Sequence, residues 1–568
     1  MVSIELSKSV WRGLGLTSAL LSACTAPGAV VHTQRVHDPA GVGGDGVEIE
    51  PWGGGYMYLA NHISPYLLPS NFNRRPVLVQ TDARLVPLAA YTYMRPGENS
   101  VILPTQLFLD STDFYPTADG GFIICGNYFE GDEFSGGSFQ EYGAFLLRID
   151  GLTLLPAWFR QYPSAYPPAY VPDIRFHSVV ETFEPNGDPM YVVAGQITTA
   201  TLNQAMAAGF DSGGNVMWVN EISGFEGGYG SAREVIVHDS DSIAITGYVH
   251  GAPHATCTNI QAYSDALVAR FRNDGAPVFL GVYGQTTGSV GSEPVSFMES
   301  GASLTRPTSS PDLVVVGNTK AWSTADECPG GPAFDHLLAF RIDPAGTVIW
   351  ANRYGLSNGA VSGVQVKPIT AFLAIAADTW STINGTTSQN VGYFRLMSGS
   401  GALAQQTEIF GGIQADFAAG IIPLGPPYPF PAVIVGTSYS FGSSYPRPYL
   451  IRREVSAQRR CADAVVPTSV VPVPLPQHGS IITSPTIPML TQPLTVLLEP
   501  ITSRIACRAR ASNPAPPREP VIPPPAPLVD ADDDGVGEPL NEGVEDVAGA
   551  EWATDQPTPC EPCEDDGG

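Results

Sequence analysis

One unit recurs along this chain, and a unit of its size cannot bury both of its apolar faces alone, so the repeat dictates how the whole chain packs. The clearest copy is DHLLAFRIDPAGTVIWANRYG, residues 335–355. Alternating apolar residues on either side of Pro344-Ala345-Gly346 read as two strands around a tight turn. An apolar strand ending in Gly, LVVVG at 313–317, precedes it. The same order returns at FIICG (122–126) with 144–162, YVVAG (191–195) with 205–222, and IAITG (243–247) with 265–284. Weaker copies pair 372–378 with 391–411, 433–436 with 448–455, and 56–61 with 76–93.

Each unit offers about four short strands: one before the Gly-ended strand, that strand, and the two of the hairpin. Four-stranded units stacked radially, so that only short edges stay open, form a β-propeller. The expected fold is all-β, a seven-bladed β-propeller over 51–455, with six or eight blades as the neighbouring counts. In four copies the hairpin carries a ring, Trp158, Trp218, Phe279 or Trp350, expected to pack between adjacent blades, with Trp218 and Trp350 in matching buried positions. The variable segments between Gly-ended strand and hairpin are expected as loops on one face. Sixty Gly and 53 Pro suit a chain with this many turns.

The hairpin resembles a bacterial β-propeller repeat family whose units read D-a-f-v-x-(K/R)-l-d-x-x-G-x-x-x-W-x-x-x-y-G. Its core (Asp211, Gly214, Trp218; Asp343, Gly346, Trp350) also resembles the blade-docking motif of quinoprotein propellers. It lacks their Thr-Gly pair and differs in spacing, so the resemblance implies the fold without a quinone; no cofactor is expected. Such motifs specify a scaffold rather than an activity.

The chain opens MVSIELSKSVWRGLGLTSALLSAC. Lys8 and Arg12 form a positive start, and the apolar run behind them is too short to span a bilayer, so 1–23 reads as a removed signal. Leu21-Ser22-Ala23-Cys24 resembles a bacterial lipobox, which implies lipidation of Cys24; the other reading is ordinary secretory cleavage near Ala23 or Ala26. Thr25, where an inner-membrane retention signal would have Asp, implies the outer membrane, facing the periplasm or the cell surface. Residues 24–50 are expected to be a flexible tether.

Acids outnumber bases 55 to 28, and Lys8, Lys320 and Lys367 are the lysines. That balance argues against nucleic acid and against electrostatic adsorption to anionic membranes. The expected membrane contact is the lipid anchor, and the expected form is a monomer. After 455 the repeat stops. Residues 456–510 hold short strand-like runs, expected to close the last blade or form a small β extension. Residues 511–568 turn Pro-rich and then acidic, with Arg518 as their base, and are expected to be disordered.

The remaining cysteines suit disulfides outside the cytoplasm. Cys257 and Cys328 sit at equivalent places in consecutive copies; Cys461 and Cys507 flank the 456–510 region; Cys560-Glu-Pro-Cys563 reads as a local disulfide before a metal or redox pair. Cys125, inside an apolar strand, reads as a buried free thiol. His250, His254 and Cys257 share one loop, a metal-ligand set or simply a surface loop. Asp530, Asp532 and Asp534 resemble the start of a calcium loop, but Asn541 stands where an EF-hand has Glu, and a solvated acidic tail is the plainer reading. The aromatic and Pro-rich run 162–173 reads as a rigid connection before a contact surface.

No catalytic residue is assigned: a His-Glu-x-x-His pair and a phosphate loop are both missing from the sequence. The leading expectation is a non-enzymatic envelope lipoprotein, a scaffold for a protein or glycan partner. The alternatives are a propeller enzyme of quinoprotein, lactonase or lyase kind working in the central channel, and an outer-membrane assembly factor. Acids, His or Arg from several blades converging on the channel mouth would favour the enzyme, and an aromatic face would favour binding.

Overall fold

The computed structural model describes residues 30–510 with interruptions, the longest at 64–73, 95–105, 132–138, 165–173, 251–263, 324–334 and 454–463; residues 1–29 and 511–568 lie outside the described residues. The signal, Cys24, the acidic tail, Asp530, Asp532 and Asp534 therefore fall outside, as do His254, Cys257, Cys328, Cys461, Cys560, Cys563 and most of the run 162–173.

Seven antiparallel sheets make a seven-bladed β-propeller, and the described residues contain no helix. From blade 1 to blade 7 the innermost strands are Gly44–Trp52, Gln106–Pro116, Ile174–Phe183, Gly230–Asp239, Glu293–Thr305, Val361–Ile369 and Asp416–Pro423. Every interface between neighbouring blades holds its own apolar cluster. The cluster of Ile49, Tyr58, Val77, Ile422, Val433 and Leu450 joins blade 7 back to blade 1 and closes the ring.

The fourth strand of blade 7 comes from the other end of the chain. Val30–Pro39 pairs antiparallel with Arg447–Arg453, His32 opposite Arg453 and Val36 opposite Tyr449. The expected tether over 24–50 is thus corrected: Val30–Pro39 and Gly44–Trp52 are strands. A ring of blades needs its last sheet completed from the start of the chain, and Val30, Val31 and Thr33 supply the β-branched residues that favour a strand.

The expectation for 456–510 is corrected: its strands neither close the last blade alone nor form a separate extension but run round the outside. Ala464–Val466 adds to blade 6, Thr468–Pro472 to blade 5, Gln477–His478 to blade 4 and Ile481–Thr483 to blade 3. Leu490–Thr491 and Thr495–Glu499 follow on blades 2 and 1, and Ile501–Arg510, which carries Cys507, lies outside the N-terminal strand on blade 7. This belt gives each blade one more strand. It covers seven outer edges that would otherwise offer unpaired backbone groups.

The repeat residues have specific duties. The Gly ending each anchor strand lies opposite a bulge in the innermost strand: a Cβ on Gly317 would fall 1.7 Å from the Ser300 carbonyl oxygen, and one on Gly247 2.0 Å from that of Ser231. In the hairpin turn, Asp343 Oδ1 accepts from the N–H groups of Ala345 (2.9 Å) and Thr347 (2.8 Å), and Asp211 Oδ1 does the same for Gly213 and Asn215. Gly346 closes that turn at φ 89° and Gly214 at φ 81°, where a side chain would be strained.

Those turn glycines receive the rings of the preceding blade. Trp158 packs on Gly214, Trp218 on Gly275, Phe279 on Gly346 and Trp350 on Gly401. The indoles of Trp158, Trp218 and Trp350 donate to the carbonyls of Ser212 (3.0 Å), Asn273 (2.9 Å) and Ser398 (3.2 Å). Tyr162 and Tyr283 add hydroxyl bonds to the carbonyls of Gly214 (2.7 Å) and Gly346 (2.8 Å), and Tyr354 to that of Gly401. The four rings hold equivalent places, but they are half-buried rather than buried. They stand on the outer strand, with one face against the next blade and one toward solvent. Trp350→Ala is expected to cost about 2–4 kcal/mol in urea unfolding, losing ring packing and a hydrogen bond. Ile349→Ala, at the exposed neighbouring position, is expected to change stability by less than about 0.5 kcal/mol. Equal losses at both positions would remove the docking role of the ring.

Candidate functional site: the central channel

The channel is built from one short pattern repeated in all seven innermost strands. Each strand carries a bulge, after Gly46, Ser111, Phe176, Ala232, Gly301, Gly363 and Ala418. A bulge bends the strand and turns one extra residue out of the ladder. The bulged residues include Val47, Thr112, His177, Arg233, Ala302, Val364 and Ala419, and all of them line a cavity of about 400 Å³ on the propeller axis.

In five blades the residue after the bulge stitches its blade to the next. Asp113 Oδ2 accepts from Val179 N–H (2.9 Å), Ser178 Oγ from Val235 N–H (3.2 Å), Glu234 Oε2 from Leu304 N–H (2.6 Å), Ser303 Oγ from Val366 N–H (3.0 Å) and Gln365 Oε1 from Ile421 N–H (2.5 Å). Blade 7 has Gly420 at this place and no side chain to offer. There Glu48 of blade 1 turns back: Oε2 accepts from Gln365 Nε2 (2.5 Å), and Oε1 lies 2.7 Å from where a Cβ of Gly420 would stand. A second set of clasps uses the backbone N–H of the residue before the bulge. Ser111, Gly363 and Ala418 N–H donate to Asn61 (2.8 Å), Asn318 (2.9 Å) and Asp378 (2.7 Å), each one residue past the point where its own blade's second strand faces the bulge.

Burial dominates the electrostatics. It pushes Asp113 up to about 6 and Glu234 and Asp378 up to about 7, and holds Glu48 and Glu50 above the usual carboxylate range. Burial also drives His177 down to about 3, so its imidazole is neutral. Lys367 goes the other way: desolvation opposes its charge, but Glu48, Glu234, Glu50 and Asp113 together outweigh it and keep it an ammonium.

Three residues beyond the bulged one comes a layer with a different character. Glu50, Tyr115 and Lys367, from blades 1, 2 and 6, line the cavity, and none of their side chains makes a hydrogen bond or ion pair with any described residue. Val180, Ile236 and Thr305, from blades 3, 4 and 5, complete the layer on the opposite arc.

Several residues singled out in the sequence lie elsewhere. His250 is buried at the end of Ser242–His250, its N–H donating to the Tyr229 carbonyl (2.6 Å). Among the described residues, no three His, Cys, Asp or Glu side chains are grouped to hold a metal ion. Cys125 is a buried free thiol 3.4 Å from Thr112 Oγ1, its pKa raised by burial. The channel residues escaped the sequence reading because the strand before each anchor strand shares no residue type across copies. The available signal was positional: aligning 47–50, 112–115, 177–180, 233–236, 302–305, 364–367 and 419–422 puts the clasp side chains in one column and Glu50, Tyr115 and Lys367 in another.

No protein-family model and no curated protein matches the sequence. Among solved structures, the chain is similar to one in Drosophila Plexin A in complex with Semaphorin 1b, at 9% identity and a TM-score of 0.27, over 75% of this chain and 87% of that one.

Proposed function

We propose that this protein is a non-enzymatic binding scaffold of the bacterial envelope, held by a lipid on Cys24 and offering one propeller face to a protein or glycan. The observation behind the reading is how connection length divides between the two ends of the strands. At one end the strands join through tight turns such as 82–86, 150–155, 211–215 and 343–347. The strand ends on the other side are joined by 64–73, 95–105, 132–138, 165–173, 251–263 and 324–334. Long connections on a rigid scaffold are where recognition usually resides. The test is partner binding by a variant with 251–263 and 324–334 replaced by short Gly-Ser links. Binding to isolated envelope glycans or proteins should fall at least about ten-fold while the thermal midpoint holds; unchanged binding would remove the face from consideration. For the anchor, mass spectrometry of membrane-extracted protein should find a lipid-bearing peptide beginning at Cys24, and Cys24→Ala should leave the membrane fraction.

A second reading, catalysis in the channel, is favoured by Glu50, Tyr115, His177, Arg233 and Lys367 converging there from five blades. Against it, Glu48, Asp113 and Glu234 have their carboxylates engaged in holding strands together.

A further inference from the structure

The Glu50, Tyr115 and Lys367 layer is chemically incomplete. An ammonium, a carboxylate and a phenol face one lumen, and none has a hydrogen-bonding or ion-pair partner among the described residues. Lys367 feels Glu48, Glu234, Glu50 and Asp113, but no carboxylate oxygen comes within the 4.0 Å of an ion pair. A charged group withdrawn from bulk water and left without a direct partner is costly, so a molecule that completes it binds with a large gain. Opposite this polar arc, Val180 and Ile236 present an apolar wall.

We propose that the channel binds a small zwitterion with an apolar side group, of which a free hydrophobic amino acid is the simplest. Its carboxylate pairs with Lys367, its ammonium with Glu50, and its hydrocarbon lies against Val180 and Ile236. A cavity of about 400 Å³ accommodates such a molecule. A simple anion would satisfy Lys367 and meet four carboxylates, and a simple cation would leave Lys367 unpaired. Carrying both charges on one ligand answers both arcs of the site. Arg233, exposed at the same cavity, marks where the lumen reaches solvent. This site is separate from the face proposed to hold a macromolecular partner, and the two stand or fall independently.

The test is calorimetric titration of the full chain with L-leucine, beside 4-methylpentanoate, which lacks the amine, and isoamylamine, which lacks the carboxylate. Leucine should bind saturably at one site, and each truncated analogue at least roughly ten-fold more weakly. Glu50→Gln keeps the shape and should weaken leucine about ten-fold without lowering the melting temperature, and Lys367→Met should abolish binding. Should Lys367→Met fail to fold, the analogues and Glu50→Gln still decide the matter. The proposal is overturned by no saturable leucine binding up to about 10 mM, by an analogue binding as well as leucine, or by Glu50→Gln leaving leucine affinity unchanged.

Discussion

A chain lacking residues 30–39 is expected to lose its cooperative unfolding transition altogether. That segment is the fourth strand of blade 7, paired with Arg447–Arg453 on one side and Ile501–Arg510 on the other. Removing it leaves Ile451, Tyr449 and Leu450 on an open edge and takes Val36 from the cluster shared by blades 6 and 7. Closure also fixes the spacing of all seven blades, so the loss spreads beyond one sheet. His37, with its ring nitrogens bonded to the Tyr58 hydroxyl (2.7 Å) and the Leu85 carbonyl (3.1 Å), ties the same strand to blade 1. Differential scanning calorimetry should show no two-state transition, with early aggregation. A truncated chain that melts as sharply as the full one would mean that the ring closes without this strand.

The second large effect is a fall in stability as pH rises from about 5 to about 8. Asp113, Glu234 and Asp378 have folded pKa values raised by burial to about 6, 7 and 7. The folded state therefore holds more protons than the unfolded state between about pH 4 and 7, and stability drops across that window as those protons leave. Glu48 and Glu50 are shifted the same way, and Lys367 offsets part of the cost by remaining charged. Together the carboxylates are expected to remove on the order of 5 kcal/mol, read as a midpoint lower by roughly 5–10 °C at pH 8 than at pH 5. Glu234→Gln keeps an oxygen for the Leu304 N–H, so it should raise the midpoint at pH 8 and flatten the profile. A midpoint that rises with pH, or a Glu234→Gln profile as steep as the parent, would contradict this account.

The architecture was legible because its signals are local and repeated. In five blades an anchor Gly lies where the carbonyl beside the bulge presses on the next strand, and the Asp-x-x-Gly turn with its ring is a complete docking device within one stretch of chain. What the sequence hid was non-local or shared no chemistry. Val30–Pro39 looks like a tether because its partner lies at the far end of the chain. The belt strands, some only two residues long, carry no repeat of their own. Around the channel, Glu48, Asp113, Ser178, Glu234, Ser303 and Gln365 have in common only an atom able to accept a neighbour's N–H, a property that no residue-by-residue comparison detects.

The belt also sets an order of assembly. Each of its strands adds to an outer strand that must already exist, and it visits the blades in the sequence 6, 5, 4, 3, 2, 1 and 7. It therefore zips in only after the ring has formed. Its last strand then lies over the first strand of the chain, so the seam closed by the N-terminus is sealed by the C-terminus. During synthesis, the seven outer edges stay bare until the final part of the chain emerges, the interval in which unpaired edges invite association with other chains. Ile501–Arg510 covers the outer edge of Val30–Pro39, so opening that edge requires Ile501–Arg510 to peel away first.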